Sequence, residues 1–172
     1  MRLGGRMAAS AEILADMAAR RRPVADALKD WGLSHRFAGS GDRAAIGNLV
    51  YDALRRKLSL GWRIGSDAPI ALVSAVMLDN WGESETSLRA NLTDDRLAPE
   101  LPAAEAFQHF RDANMSAAPL YVQSDVPEWT APLLTQMFGD DVVDECRAMT
   151  SRPPVDLRAN LLLSTPDKVL ED

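Results

Sequence analysis

The chain has little of the chemistry on which disulfide-rich proteins and metal sites depend. Its 172 residues include one cysteine, Cys146, and two histidines, His35 and His109. A single cysteine excludes an internal disulfide framework and is typical of a reducing cytoplasm, where we expect the protein to reside. Neither histidine has a second ligand nearby at metal-binding spacing, so we expect no metal site.

Long apolar runs are missing as well. The longest, residues 68–78, is too short to span a bilayer and is interrupted by Pro69 and Ser74. The first six residues, MRLGGR, have no apolar region typical of a secretory signal. We therefore expect no membrane partner. With 47% hydrophobic and 26% charged residues, the composition is that of a globular chain able to bury one core.

Catalytic motifs are the third absence. No glycine-rich loop follows a strand pattern, so the sequence predicts no cofactor-binding loop. The segment 39–41 (GSG) lies between two helical patterns, which indicates a turn. Cys146 lies mid-helix between Glu145 and Arg147, without a base that would activate it. We expect no catalytic residue and no bound cofactor in this chain.

Helical periodicity dominates the first ninety or so residues. It predicts helices over 7–19, from Pro23 to a stop at Gly32, from a cap at Ser40 or Asp42 to Gly61, over 70–81 and over 84–92. The run 70–81 is apolar nearly all round, which predicts a helix in the centre of a bundle. All four tryptophans lie in apolar helical contexts typical of core anchors: Trp31, Trp62, Trp81 and Trp129.

The pattern weakens after residue 92. It predicts helices over 101–110, over 127–138 with a stop at Gly139, and over 140–151. Residues 155–163 alternate and predict a strand, after which Thr165 caps a last helix. We therefore predict an all-α fold with residues 1–92 as a helical domain and 93–126 as a linker. Residues 127–172 would begin a further, incomplete subdomain that contains the strand.

The net charge of −6 is unevenly distributed. Residues 1–63 contain twelve lysines and arginines against six acidic residues, whereas residues 64–172 contain seven against nineteen. A concentrated basic region can bind phosphates even in an acidic protein. A solvated basic face is the alternative explanation. Candidate RNA contacts in this region are Arg20, Arg21, Arg22, Arg43, Arg55, Arg56 and Lys57.

Two segments resemble one family of RNA-modifying enzymes. The first is residues 39–56, GSGDRAAIGNLVYDALRR. The second starts with VPEW at 126–129, continues through the Phe-Gly pair at 138–139 and ends in RPPVDLRAN at 152–160. Their order and spacing are similar to those of the RsmB/Sun family of ribosomal RNA (cytosine-5) methyltransferases. In that family the first segment belongs to a NusB-like helical domain.

The resemblance implies a parent enzyme that transfers a methyl group from S-adenosylmethionine to carbon 5 of a cytosine in ribosomal RNA. It also implies that the nucleophilic cysteine and the cofactor loop lie beyond Asp172, so that this chain ends before the catalytic domain. Arg158 matches the family motif and joins the candidate RNA contacts. The expected partners are ribosomal RNA and the missing catalytic domain.

Three functions remain open on the sequence alone. The first is the RNA-positioning portion of such a methyltransferase. The second is a free-standing NusB-like module that binds RNA or a protein in transcription or ribosome assembly. The third is a structural domain that docks onto the catalytic domain, which predicts no RNA affinity and an open apolar patch around Leu157, Leu161 and Leu163.

Overall fold

Helices form all the regular secondary structure in the residues that the computed structural model describes, 1–153 and 156–171. The all-α prediction is confirmed for these residues. The helices are α1 (Leu3–Arg20), α2 (Val24–Ser34), α3 (Ser40–Arg55), α4 (Lys57–Ile64), α5 (Pro69–Asp79), α6 (Glu85–Leu92), α7 (Ala104–Asp112), α8 (Leu120–Gln123), α9 (Ala131–Phe138), α10 (Val142–Thr150) and α11 (Pro166–Glu171). Single 3₁₀ turns precede α8, α9 and α10.

Helix α5 lies at the centre of a bundle that α1, α3 and α4 form around it, and α2 packs on α1. Every residue from 71 to 77 is buried, as the apolar run predicts. The helix packs against α1, α3 and α4, so it has a neighbour on most of its sides. Ser74 is the polar residue in this stretch, and its hydroxyl donates to the Ile70 carbonyl at 2.8 Å. That bond satisfies the buried hydroxyl within the helix itself.

Gly32 does not stop the second helix, contrary to the sequence prediction. Helix α2 continues through it to Ser34, and Gly32 is buried. A Cβ atom at this position would lie 2.2 Å from Nη1 of Arg43. Gly32 therefore leaves room for the Arg43 guanidinium against the backbone of α2, and it does not end the helix.

The long third helix predicted up to Gly61 is two helices in the structure. The chain leaves helical geometry at Arg56, whose φ of −128° and ψ of 32° separate α3 from α4. Gly61 lies within α4, and Gly65 ends that helix in the left-handed region with φ of 69°. The N-cap of α3 is Gly39, without a side-chain bond to the helix.

A distant carboxylate stabilises the new helix start. Asp125 accepts a hydrogen bond from the backbone N–H of Ser59 at 2.8 Å and another from the Ser59 hydroxyl. It therefore acts as an N-terminal cap of α4 from 66 residues away. Burial raises the pKa of Asp125 and outweighs the bonds from Ser59 and the charge of Arg56. Its φ of 51° lies in the left-handed region.

We expect Asp125→Ala to lower the free energy of unfolding by about 1 kcal/mol, the usual cost of a lost cap, while the alanine keeps the left-handed φ of 51°. Asp125→Gly removes the cap without the strain, so it should cost less than alanine. Urea denaturation of both variants checks this. A larger cost for glycine than for alanine would contradict the assigned backbone strain.

Asp125→Asn keeps an acceptor oxygen for Ser59 but cannot ionise. Because the folded state raises the pKa of Asp125 above its ordinary value of 3.8, the neutral carboxyl adds stability below that value. This contribution is lost as the pH rises through the folded-state pKa. The stability of Asp125→Asn relative to wild type should therefore increase from pH 4 towards neutrality. Denaturation of both proteins across this range measures the difference.

Residues 93–126, predicted as a linker, pack against the bundle. Helix α7 lies against α4 and buries Phe107 and Phe110 in the main hydrophobic core. The Arg63 guanidinium lies 3.8 Å from the centre of the Phe110 ring, within the range of a cation–π contact. The Nδ1 atom of His109 bonds to the carbonyl oxygen of Arg63 at 2.8 Å. This segment therefore covers one side of α4.

Helices α9 and α10 pair with each other after Gly139, whose φ of 57° suits glycine. Val142 and Cys146 are the buried residues of α10. Beyond α10, the Arg152 guanidinium donates to the carboxylate of Asp52 on α3 at 3.0 Å. This contact joins the segment after α10 to α3.

The predicted strand over 155–163 is not confirmed. Residues 156–160 have no regular structure and 161–163 form a turn, while Val155 lies outside the described residues. A strand needs a partner strand, and the described part of the chain contains none. Leucines of this segment are exposed: Leu157, Leu161, Leu162, Leu163 and Leu170. Helix α11 follows Thr165, whose hydroxyl accepts from the Lys168 N–H at 3.5 Å.

Candidate anion-binding cleft

A polar cleft of about 930 Å³ opens where α3, α4 and the end of α5 meet α8 and α10. Its lining from the bundle is Asn48, Asp52, Arg55, Arg56, Ser59, Arg63, Asn80 and Trp81, and its lining from the later segments is Met115, Gln123, Asp125, Arg147, Thr150, Ser151 and Arg152. Three of these residues share one face of α3 because they follow at intervals of four and three. They are Asn48, Asp52 and Arg55.

Positive charge dominates the lining of the cleft. It contains five arginines and two aspartates, in a chain whose net charge is −6. Asp79 lies behind Arg56 and Arg63 and pairs with both. Even with all three aspartates ionised, the arginines exceed them by two. A concave wall with this excess concentrates a positive potential that attracts anions.

Asp52 positions two of the arginines. Its side chain is only 8% exposed and accepts from Nη1 of Arg55 at 3.0 Å and from Nη2 of Arg152 at 3.0 Å. Each guanidinium has five N–H donors and uses only a part of them on this carboxylate. The remaining donors are therefore held in place at the cleft wall and can bind a phosphate in the same fork geometry.

Asp79 positions Arg56 and Arg63, which line the cleft on the side of the bundle. Burial acts to raise the pKa of Asp79, but the hydrogen bonds and charges of Arg63 and Arg56 outweigh burial and lower it below its ordinary value. The carboxylate is therefore ionised at neutral pH and holds Arg56 and Arg63 together between α4 and α5. Two like charges so fixed form a preorganised site for an anion.

Arg147 and Arg152 face the cleft from the opposite side. The side chain of Arg152 is 53% exposed despite its bond to Asp52. Arg147 is exposed on α10, and no carboxylate within the described ranges pairs with it. These two guanidinium groups are the most accessible charges of the cleft.

Only two of the predicted RNA contacts lie in the cleft, Arg55 and Arg56. Lys57 is exposed beside them at the start of α4 but does not line the cleft. Arg43, expected to share a face with Arg55 or Arg56, instead donates to the Ala38 and Gly32 carbonyls at 2.9 and 2.7 Å. It satisfies carbonyl groups at the end of α2, which is a structural use.

The cluster Arg20, Arg21 and Arg22 lies apart from the cleft, and two of its three arginines pair with carboxylates. Arg22 bridges Asp16 and Asp30, and Arg20 pairs with Asp16. Arg21 ends α1 in the left-handed region with φ of 49° and is exposed. Arg158 lies farther on, in the segment of exposed leucines, and lines a separate depression with Leu157 and Leu161.

The sequence interpretation missed Arg147, Arg152 and the polar residues around Trp81. The spacing of Asp52 and Arg55 is a signal for an ion pair on one helix. Nothing in the sequence pairs Asp52 with Arg152, because 100 residues separate them.

Trp81 is 39% exposed, as is Trp62, and Trp129 is 75% exposed. The core-anchor prediction was therefore wrong for these three tryptophans, and Trp31 alone is buried.

Within the described ranges no group of His, Cys, Asp and Glu side chains could hold a metal ion. Across the same residues, none of the helices combines the length and apolar character that crossing a membrane requires. No protein-family model, curated protein or solved structure matches the chain. The function is therefore argued from the cleft and from the two sequence segments that resemble the methyltransferases.

Proposed function

We propose that this chain is the RNA-positioning portion of an S-adenosylmethionine-dependent ribosomal RNA (cytosine-5) methyltransferase, with a NusB-like helical domain and no catalysis of its own. The observation that carries RNA binding is the cleft in which five arginines converge, four of them held by Asp52 and Asp79. The methyltransferase assignment rests on the resemblance of residues 39–56 and 126–160.

Arginine suits this role because its planar fork matches the oxygens of a phosphate. The backbone phosphates of RNA supply most of the binding free energy when such groups meet them, and release counterions as they do so. The cleft volume of about 930 Å³ lies within the range of about 300–1,000 Å³ for pockets that enclose a small ligand. It therefore suits a short stretch of backbone better than a long helix.

A basic cleft can act within an acidic protein because screening is short-ranged. At physiological salt the Debye length is about 8 Å. Acidic side chains farther than this from the cleft therefore weaken its field only slightly. Cys146 is buried in α10 and does not line the cleft, so the cleft is assigned binding and no chemistry.

Fluorescence anisotropy with a labelled fragment of ribosomal RNA tests the binding function. The logarithm of the association constant should fall linearly with the logarithm of the salt concentration. Three to four phosphate contacts would give a slope between about −2 and −4. No binding at low salt would overturn the proposed RNA-positioning role.

Bisulfite sequencing of ribosomal RNA tests the methyltransferase assignment separately. Cells in which the gene is disrupted should lack one 5-methylcytosine that the parent cells contain. The chain alone, given S-adenosylmethionine and RNA, should transfer no methyl group. Unchanged methylation after disruption would overturn the enzyme assignment and leave the free-standing RNA-binding module.

The exposed leucines after residue 156 favour a second candidate, a module that binds a protein. Leu162 is 93% exposed, and Leu163 and Leu170 are each 84% exposed. Apolar side chains grouped in this way are typical of a surface that another protein covers. This function predicts no RNA binding in the same anisotropy series, at any salt concentration.

A further inference from the structure

We infer that the cleft binds unpaired RNA, with one base stacked on Trp81 and its edge bonded to the amides of Asn48 and Asn80. This inference rests on the proposed RNA-binding function and names the form of RNA that the site takes. Three features of the cleft lining are not explained by phosphate binding alone. They are the exposed indole of one residue, two side-chain amides without partners, and the position of these groups beside the arginines.

Trp81 is placed as a stacking surface. It follows α5 directly, and its backbone N–H still bonds to the Val76 carbonyl at 3.3 Å, so its position is tied to the end of the buried helix. Its side chain is 39% exposed and lines the cleft. A large aromatic face left open among arginines contributes little to the core. Such faces are where single-stranded nucleic acids stack their bases.

Asn48 and Asn80 can provide the edge contacts. Both line the cleft and are exposed. Neither side-chain amide has a hydrogen-bond partner within residues 1–153 and 156–171, in contrast to Gln123, which donates to the Ala118 carbonyl at 2.8 Å. Each free amide offers a donor and an acceptor side by side, the pattern that complements the edge of a base.

The arginines then hold the flanking backbone. Asn48 lies one turn before Asp52 on α3, and Asp52 holds Arg55 and Arg152 at the cleft wall. A base at the amides therefore has fixed guanidinium groups next to it for its phosphates. In a duplex each base is stacked between its neighbours and paired along one edge, so no base face is open to Trp81. Stacking on Trp81 therefore requires an unpaired strand.

The test compares two RNA probes of one sequence, a labelled 12-nucleotide single strand and the duplex with its complement. Anisotropy should show tighter binding of the single strand by wild type. Trp81→Ala should weaken single-strand binding by roughly tenfold or more and leave duplex binding unchanged, since stacking on an aromatic side chain contributes strongly to single-strand affinity. Trp81→Phe keeps an aromatic ring and should retain most of the affinity.

Trp62→Ala is the matched control. Trp62 has the same 39% exposure but does not line the cleft, so its loss should change neither affinity. Thermal denaturation checks that the variants are folded. If Trp81→Ala weakens both probes equally or neither, the inference is overturned while the RNA-binding function stands. If wild type binds neither probe at low salt, both are overturned.

Discussion

Replacing Arg147 and Arg152 together by glutamine should weaken RNA binding roughly 25-fold at 0.1 M salt. The number follows from two lost phosphate contacts on a single strand, each of which contributes about 0.7 to the salt slope. The salt dependence should become weaker, with the magnitude of the slope reduced by between about one and two. Both side chains are exposed in the cleft, and Asp52 keeps its bond to Arg55 when Arg152 is changed. The fold should therefore remain intact.

The anisotropy salt series with ribosomal RNA measures both quantities. The matched control is the double replacement of Arg20 and Arg21 by glutamine, which removes the same charge outside the cleft. Arg20 pairs with Asp16, and neither Arg20 nor Arg21 lines the cleft. We expect the RNA affinity of this control variant to change by less than about threefold, because charges farther away than a Debye length are largely screened. Equal losses in the two double variants would show that binding follows net charge and not the cleft.

Phe107→Ala should lower the free energy of unfolding by about 3–5 kcal/mol, the usual cost of a cavity left by a buried aromatic ring. Phe107 is completely buried and lies on α7, in the part of the chain that its sequence predicts as a linker. Since domains of this size are typically stable by about 5–15 kcal/mol, the loss would shift the urea midpoint strongly. A single unfolding transition is expected, because α7 shares the core of α4 and α5.

Phe37→Ala makes the same chemical change on the surface. Phe37 is 71% exposed and touches the edge of His35, so its cost should stay below about 1 kcal/mol. Urea denaturation of both variants, followed by tryptophan fluorescence and by circular dichroism, measures the difference. A cost below 1 kcal/mol for Phe107→Ala would contradict the packing of α7 into the bundle. If fluorescence and circular dichroism gave different unfolding midpoints, α7 would unfold separately from the core.

Helices with a strong local signal could be predicted from the sequence. The apolar run in α5 is buried as expected, and Ser84 caps α6 by accepting from the Ser87 N–H at 3.0 Å. Such signals depend on neighbouring residues and on hydrophobic periodicity, so a single segment contains them. Gly139 also ends α9 as predicted, with its φ of 57°.

The errors occurred where a distant residue decided the local structure. Gly32 lies within α2, where the Arg43 side chain of the next helix occupies the space that a Cβ atom would need. The break at Arg56 comes with a cap from Asp125, which no local pattern near Arg56 indicates. In both places a tertiary contact outweighed the local preference of a glycine or of a long periodic helix.

Some residues of the candidate site could likewise be predicted from the sequence, and others could not. Arg55 and Arg56 could be named from the sequence because basic residues group there on one helix. Arg147 and Arg152 join them only in the folded chain, where Arg152 pairs with Asp52 on α3, and Trp81 faces the cleft only because α5 ends beside it. An ion pair such as Asp52 with Arg152 depends on distance in space, and sequence separation carries no information about it.

By itself, the sequence determined a mainly helical chain with a buried central helix, a basic first third and a single cysteine. These properties follow from composition and periodicity, which act residue by residue along the chain. The tertiary structure alone decided which cations converge, which tryptophan is exposed beside them, and where α3 ends. Those outcomes depend on side chains far apart in the sequence that must share one space, and packing selects the arrangement.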